Sequence, residues 1–172
     1  MKKSELKKDE IGEFYWNYIN LIPDDAELIG TLKKNTEDMV QFFRSIPAEK
    51  WRYSYAAGKW SVLEMVQHLI DTDRIFQYRA LSFARQESKS LPGFDHDSYV
   101  LHSGAEKREA DNLIEEFKQV RESGIYLFRS FTDEMLAQKG IMNEMTATAR
   151  AIGFVMAGHA LHHKDIIRKR YL

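Results

Sequence analysis

Gly158-His159-Ala160-Leu161-His162-His163-Lys164-Asp165, near the C-terminus, is the stretch from which the fold and the functional site can be predicted. In a helix, His159 and His163 stand one turn apart on the same face, so their imidazoles converge on one small object. A metal ion is the most economical such object, because imidazole is a common metal ligand. With six histidines in 172 residues, however, an isolated H-x-x-x-H pattern is weak evidence for a metal site.

The helix that carries this stretch is predicted to run from Thr148 to Arg170. The two histidines interrupt its apolar stripe, where a polar group is costly unless it finds a partner. Continuity with the stripe favours His163 as the second ligand, while His162 stays an alternative because it lies on nearly the same face as His159. The stripe consists of Ile152, Met156, His159, His163, Ile166 and Ile167.

Three more amphipathic helices are predicted upstream, and no strand of normal length. The first starts at Pro23-Asp24-Asp25 and ends at Pro47, which cannot continue the helical hydrogen bonds. The second starts at Ser61-Val62-Leu63-Glu64, a capping-box pattern, and the third follows a similar pattern at Ser103 and Glu106. Four long amphipathic helices predict an all-α, single-domain four-helix bundle, whose interior commonly holds metal sites.

The segments between the helices give weaker signals. Residues 88–102 have no helical period and predict a long structured loop, and Gly140 to Met145 predict a small turn or hairpin. Thr132 is expected to cap a short helical turn. We expect residues 1–24 to form an N-terminal extension that packs on the bundle, and residues 25–172 to form the bundle domain.

Composition excludes several classes of function. Lys and Arg number 25 against 26 Asp and Glu, so no basic field exists to hold nucleic acid or an anionic membrane. The chain has no cysteine, which excludes disulfides and a cysteine nucleophile. Neither a signal peptide nor an apolar run of about 18 residues is apparent, so we expect a cytoplasmic protein.

A third histidine, His68, interrupts the apolar stripe of the second helix. Three neutral imidazoles bind Zn(II) or another borderline divalent ion and leave a coordination position for water or substrate. The alternative is that each histidine is separately hydrogen-bonded in the core or at the surface. For His96 and His102, which lie in the loop segment, an ordinary surface role is expected.

Several motifs together resemble the DinB/YfiT-like family over about residues 25–172. They are Gly58-Lys59-Trp60-Ser61-Val62-Leu63-Glu64, His68-Leu69-Ile70-Asp71-Thr72 with Arg74, the Phe94-Asp95-x-Asp97 loop, and Ala157-Gly158-His159-Ala160-Leu161-His162-His163. The resemblance implies a four-helix bundle with a divalent metal on His68, His159 and His163. It also implies metal-dependent hydrolase activity and a homodimer, while some relatives transfer bacillithiol, mycothiol or glutathione.

We therefore expect a divalent-metal-binding hydrolase that acts on a small molecule, with zinc or nickel as the metal and iron or manganese as alternatives. A thiol transferase and a non-catalytic, metal-stabilised binding module stay open, because no base comparable to the Glu of H-E-x-x-H follows His159. Asp71 is the candidate base or supporting group, with pairing to Arg74 as the alternative role. Tyr78 and Arg79 are candidates for orienting an anionic substrate, or else for core-edge and dimer contacts.

Overall fold

Four long helices, α2, α3, α5 and α7, dominate the computed structural model, which describes residues 1–172. The prediction of an all-α four-helix bundle is confirmed, and a two-stranded hairpin is the only sheet. None of the helices combines the length and apolar character needed to cross a membrane. The elements are α1 (Trp16–Ile19), α2 (Leu28–Arg44), α3 (Val62–Ala84), α4 (His96–Leu101), α5 (Ala110–Arg129), α6 (Asp133–Ala137), β1 (Lys139–Met142), β2 (Met145–Thr148) and α7 (Ala149–Arg170).

The long helices do not pack in the order of the chain. Both α2 and α3 pack mainly against α5 and α7, so that α2 and α3 occupy opposite corners of the bundle. In a simple up-and-down bundle, by contrast, consecutive helices are neighbours. This arrangement places α7, the last helix, directly beside α3.

Local capping patterns predicted several element starts correctly. Ser61 caps α3: its hydroxyl accepts a hydrogen bond from the Glu64 amide at 3.3 Å, and the Glu64 carboxylate accepts one from the Ser61 amide at 2.7 Å. A capping residue of this kind stabilises a helix by about 1 kcal/mol. Thr132 and Thr148 likewise accept hydrogen bonds from Met135 and Ala151 at the starts of α6 and α7.

Two other predicted starts are wrong. Helix α2 begins at Leu28 rather than at Pro23, because the N-terminal segment pairs with the residues between them: the Lys3 ammonium donates to the Asp24 carboxylate at 2.8 Å. Helix α5 begins at Ala110, because the residues after Ser103 form only a short 3-10 turn, Ala105–Lys107, whose first amide donates to the Ser103 hydroxyl at 3.2 Å.

The segment 88–102 is not wholly a loop, because it contains α4. Asp95 caps this short helix by accepting hydrogen bonds from the amides of Asp97 and Ser98 at 3.0 and 3.1 Å. The hairpin predicted at 140–145 is confirmed, with β1 and β2 antiparallel and Gly140 opposite Ala147. Asn143 and Glu144 form its turn at φ values of 47° and 63°, and Asn tolerates this left-handed conformation well.

A layer of buried polar side chains crosses the bundle between two apolar clusters. One cluster includes Phe83 and Phe128, and the other includes Phe43 and Phe117. Each long helix contributes apolar residues to both clusters and polar residues to the layer between them. We call these residues the polar layer: Asn35, His68, Asp73, Arg121, His159 and His163.

The N-terminal segment packs along α7 and contributes to the first apolar cluster. Ile11, Ile19 and Ile22 are buried there. The buried Glu10 carboxylate pairs with the Arg150 guanidinium and accepts a hydrogen bond from the Thr148 hydroxyl at 2.9 Å. The segment is thus held to α7 by both apolar and charged contacts. The division between an N-terminal extension and a bundle domain at residue 24 stays a prediction.

Candidate metal site

Helices α3 and α7 bring His68, His159 and His163 to one point in the polar layer. The Nε2 atom of His159 lies 3.2 Å from Nε2 of His68 and 3.0 Å from Nε2 of His163. One nitrogen from each of the three residues lies within 4.8 Å of the other two. The packing of α7 against α3 supplies the third nitrogen to the pair that stands one turn apart on α7.

Burial keeps these imidazoles neutral. All three histidines are buried, with exposed fractions of 5–8%. Desolvation lowers the pKa of His68 to about 4, with the nearby His96 adding to the shift. Desolvation also holds the pKa values of His159 and His163 well below the usual range, and each is lowered further by the neighbouring imidazoles. Neutral imidazole is the form that binds metals, so its lone pairs are available at ordinary pH.

The ring nitrogens indicate which atoms face the shared point. The Nδ1 atoms of His159 and His163 are buried without a hydrogen-bond partner. The hydroxyl of Thr72, one turn along α3, lies 3.5 Å from Nδ1 of His68 and marks the orientation of that ring. With protons on Nδ1, three Nε2 lone pairs would face one another, an arrangement that favours a cation between them.

The two nitrogen separations at His159 fit a transition-metal ion. Two nitrogens bound at about 2.1 Å to one ion, and separated by roughly 90–105°, are about 3.0–3.3 Å apart. The two contacts of His159 with His68 and His163, 3.2 and 3.0 Å, fall in that range. Three imidazole ligands with no carboxylate or thiolate suit zinc, nickel and related ions better than magnesium or calcium.

Aromatic side chains surround the three histidines. The Trp60 ring lies 4.8 Å from the ring of His68. On another side, the Tyr18 ring lies edge-on to His159 at 5.2 Å, and Phe76 is edge-on to the same imidazole at 6.2 Å. These rings hold water away from the imidazoles and so contribute to the desolvation that lowers their pKa values.

Arg121 joins the four long helices beside the histidines. This residue of α5 is fully buried, pairs with the Asp73 carboxylate of α3 and donates to the Asn35 side-chain oxygen of α2 at 3.1 Å. It also donates to the main-chain oxygen of Met156 on α7 at 2.8 Å. Since Asp73 and Met156 are close in sequence to the histidines of their helices, Arg121 supports the relative placement of α3 and α7.

The other predicted site residues do not contact the histidines. Asp71 accepts a hydrogen bond from Gln67 at 2.9 Å and lies 3.7 Å from the Arg74 guanidinium. Pairing with Arg74 was the alternative role proposed for Asp71. Burial raises the pKa of Asp71. Tyr78 is 59% exposed. Arg79 is buried and donates to the main-chain oxygen of Pro92 at 2.9 Å, so that it anchors the segment before α4.

The remaining histidines lie outside the cluster. His162 packs against the Tyr18 ring at 5.2 Å, and α7 directs His163 rather than His162 toward His68. His96, expected to be an ordinary surface residue, is exposed but has its ring 6.0 Å from that of His68. It therefore borders the site instead of lying apart from it.

Sequence reasoning missed several residues around the histidines. Thr72 had a usable signal, because it lies four residues after His68 on the same helix face. Arg121 had one as well, since it stands four residues from both Phe117 and Ile125 and so falls in the apolar stripe of α5. Nothing local marks Trp60 or Tyr18 as neighbours of the site, because both arrive from segments outside the long helices.

The comparisons with known proteins agree with this architecture. A Bacillus subtilis protein, YfiT, described as a probable metal-dependent hydrolase with an unusual four-helix bundle topology, superposes with a TM-score of 0.72 at 14% identity, covering 95% of this chain and 92% of YfiT. An Oceanobacillus iheyensis protein, named a putative metal-dependent hydrolase, is 23% identical over 145 residues, which are 83% of this chain and 82% of that protein. The family model of the DinB superfamily matches residues 31–167, and this chain therefore belongs to the DinB superfamily.

Proposed function

We propose that this protein is a divalent-metal-dependent hydrolase whose ion is held by His68, His159 and His163. The observation that carries the proposal is the convergence of three buried, neutral imidazoles, with Nε2 separations of 3.0 and 3.2 Å about His159. The names of the Oceanobacillus and Bacillus proteins support the same class of reaction. Zinc and nickel are the proposed metals, with iron and manganese as alternatives.

The side chains of this chain prepare the site for such an ion. A bound divalent ion supplies Lewis acidity, polarising a substrate oxygen and lowering the pKa of water. Desolvation holds the three imidazoles neutral, and Thr72 orients the ring of His68 through its Nδ1 atom. Arg121 holds α3 and α7 together beside the histidines. Proton transfer stays the proposed role of Asp71, and substrate binding stays the proposed role of Tyr78 and Arg79. Each role requires the substrate to extend from the histidines to these side chains.

Metal content tests the ligand assignment directly. We expect about one zinc, nickel or related divalent ion per chain in the purified protein, measured by elemental analysis. His68→Ala, His159→Ala and His163→Ala should each lower that content at least tenfold, because two imidazoles hold such an ion much less tightly than three. His162→Ala is the matched control from the same helix and should keep the full content. Equal metal content in His162→Ala and the three ligand variants would contradict the assignment.

Activity before and after metal removal tests the reaction class. We expect the metal-loaded protein to hydrolyse small esters or amides without added thiol, to lose this activity on treatment with a chelator, and to regain it with zinc or nickel. Strict dependence on bacillithiol, mycothiol or glutathione would support the transferase alternative instead. Full metal content with no turnover under either condition would favour the binding module. Thiol use, the homodimer and the cytoplasmic location stay predictions.

A further inference from the structure

A small cavity opens beside His163, between the segment that precedes α3, the start of α4 and the C-terminal end of α7. Its volume is about 230 Å³. That is below the roughly 300–1,000 Å³ of typical small-molecule sites, so the cavity fits only a small ligand. The residues that carry its chemistry are Tyr55, Lys59, Trp60, His96, His163 and Tyr171.

Aromatic rings form a fixed wall on one side of this cavity. The Trp60 ring is edge-on to His96 at 5.9 Å, and the main-chain oxygen of Trp60 accepts a hydrogen bond from the Tyr171 hydroxyl at 2.6 Å. Tyr55 is edge-on to Tyr171 at 5.2 Å. Rings held in this way present flat apolar faces at little cost in side-chain entropy, which suits a planar ligand.

The cavity lining carries one basic and one acidic side chain, Lys59 and Asp97. No carboxylate lies within 4.0 Å of the Lys59 ammonium, whereas the acidic residue of the lining, Asp97, has its carboxylate 3.8 Å from Nε2 of His96. Lys59 follows Gly58, whose φ of +71° places the turn in the left-handed region. The ammonium is therefore available to a ligand, and its charge selects an anionic group.

We propose that this cavity is the substrate-binding pocket, and that it takes a small carboxylate-bearing substrate with a flat apolar part. The flat part lies against Trp60 and Tyr55, and the carboxylate lies at Lys59. The end of the substrate that carries the scissile bond then lies toward His163, the proposed metal ligand in the lining. This inference rests on the proposed function, because it names the class of substrate for the same metal site.

Binding of three small probes to the metal-loaded protein tests the pocket. Benzoate has both recognised features, acetate lacks the ring, and benzyl alcohol lacks the charge. By calorimetric titration, we expect benzoate to bind about tenfold more tightly than either other probe. Lys59→Gln should weaken benzoate binding at least about threefold and leave benzyl alcohol unchanged. Lys50→Gln, which makes the same change in net charge outside the pocket lining, should leave both unchanged.

Variants of the wall complete the test. Trp60→Leu and Tyr55→Leu should each weaken the binding of both benzoate and benzyl alcohol by about fivefold. Metal content should stay at the wild-type level in Tyr55→Leu, whose ring packs against Tyr171 rather than against the proposed metal ligands. Tyr55 is half-exposed, so Tyr55→Leu tests the wall even if Trp60→Leu disturbs folding. If Lys59→Gln, Tyr55→Leu and the wild type bind benzoate with the same affinity, the proposal that this cavity binds substrate is refuted.

The two proposals fail in distinguishable ways. If the purified wild-type protein contains no divalent ion, the proposed metal-dependent function is refuted. Benzoate titrations of that metal-free protein and of its Lys59→Gln variant would still show whether the cavity binds a carboxylate through Lys59. Wild-type protein with its full ion, but with benzoate bound independently of Lys59 and the wall, would refute the pocket and leave the metal site standing.

Discussion

Replacing Arg121 by methionine is expected to lower the free energy of unfolding by about 3–5 kcal/mol, as measured by chemical denaturation. Arg121 and Asp73 are both fully buried, and the guanidinium also donates to Asn35 and to the main chain of Met156. Methionine fills a similar elongated space without the charge. It therefore leaves the Asp73 carboxylate and the Asn35 oxygen without their partner in the centre of the bundle.

The double variant Arg121→Met/Asp73→Leu separates the ion pair from the packing. Removing both charges should recover roughly half or more of the lost stability, because no uncompensated charge is left buried. Arg74→Met is the control: Arg74 pairs with Glu116 at 2.6 Å, but its side chain is half exposed, and we expect a change within about 1 kcal/mol. A loss at Arg121→Met no larger than this would show that the buried pair contributes little.

The loss at Arg121→Met should also grow as the pH rises. Burial raises the pKa of Asp73 to about 6, and the Arg121 guanidinium opposes this rise. Without Arg121, the pKa of Asp73 in the folded variant rises further above its unfolded value. When folding raises the pKa of a carboxyl, the protein loses stability as the pH increases from the pKa of that group in the unfolded state to its pKa in the folded state. The difference between wild type and variant should therefore be larger at pH 8 than at pH 5.

Gly158→Ala is expected to destabilise the protein by about 2 kcal/mol. A Cβ atom on Gly158 would lie 2.2 Å from the main-chain oxygen of Tyr18, and a backbone atom cannot rotate away as a side chain can. Overpacking of this kind costs roughly 1–3 kcal/mol or more, and the better helix propensity of alanine offsets about 1 kcal/mol of it. To fit the methyl group, α1 must move away from α7.

Gly30→Ala supplies the control for Gly158→Ala. Gly30 lies in α2, and nothing comes within 4 Å of a Cβ atom placed there. The same substitution should therefore raise the free energy of unfolding by about 0.5–1 kcal/mol through helix propensity alone. If chemical denaturation gave the same gain for Gly158→Ala, the close approach of α1 and α7 would be disproved.

The elements that could be predicted from the sequence are those decided by neighbouring residues. The Ser61 capping box, Thr132 and Thr148 each satisfy an amide within a few positions, so their patterns determine where α3, α6 and α7 begin. Pro23-Asp24-Asp25 offered a similar pattern, but Asp24 is paired with Lys3 instead. No local rule detects that competition, because the competing residue lies 21 positions earlier.

The candidate site divides in the same way. Helical spacing is sufficient to pair His159 with His163, and the interrupted apolar stripe of the second helix offered His68 as a third ligand. The resemblance to a known family was needed to favour this set over three separately hydrogen-bonded histidines. The Arg121–Asp73 pair was not predicted, since the position of Arg121 in the apolar stripe of α5 marks that residue but not its partner on another helix. Its burial depends on partners from three other helices, and the order in which helices pack is not encoded in the periodicity of any one of them.

The attachment of the N-terminal segment to α7 has a practical consequence for work on this protein. The match to the superfamily's family model begins at residue 31, yet Ile11, Ile19 and Ile22 cover apolar surface, and Glu10 pairs with Arg150. A gene trimmed to the region of similarity would uncover that surface and leave Arg150 unpaired. Aggregation of such a product would reflect the missing cover, and its failure to turn over substrate would say nothing about the chemistry of the intact chain.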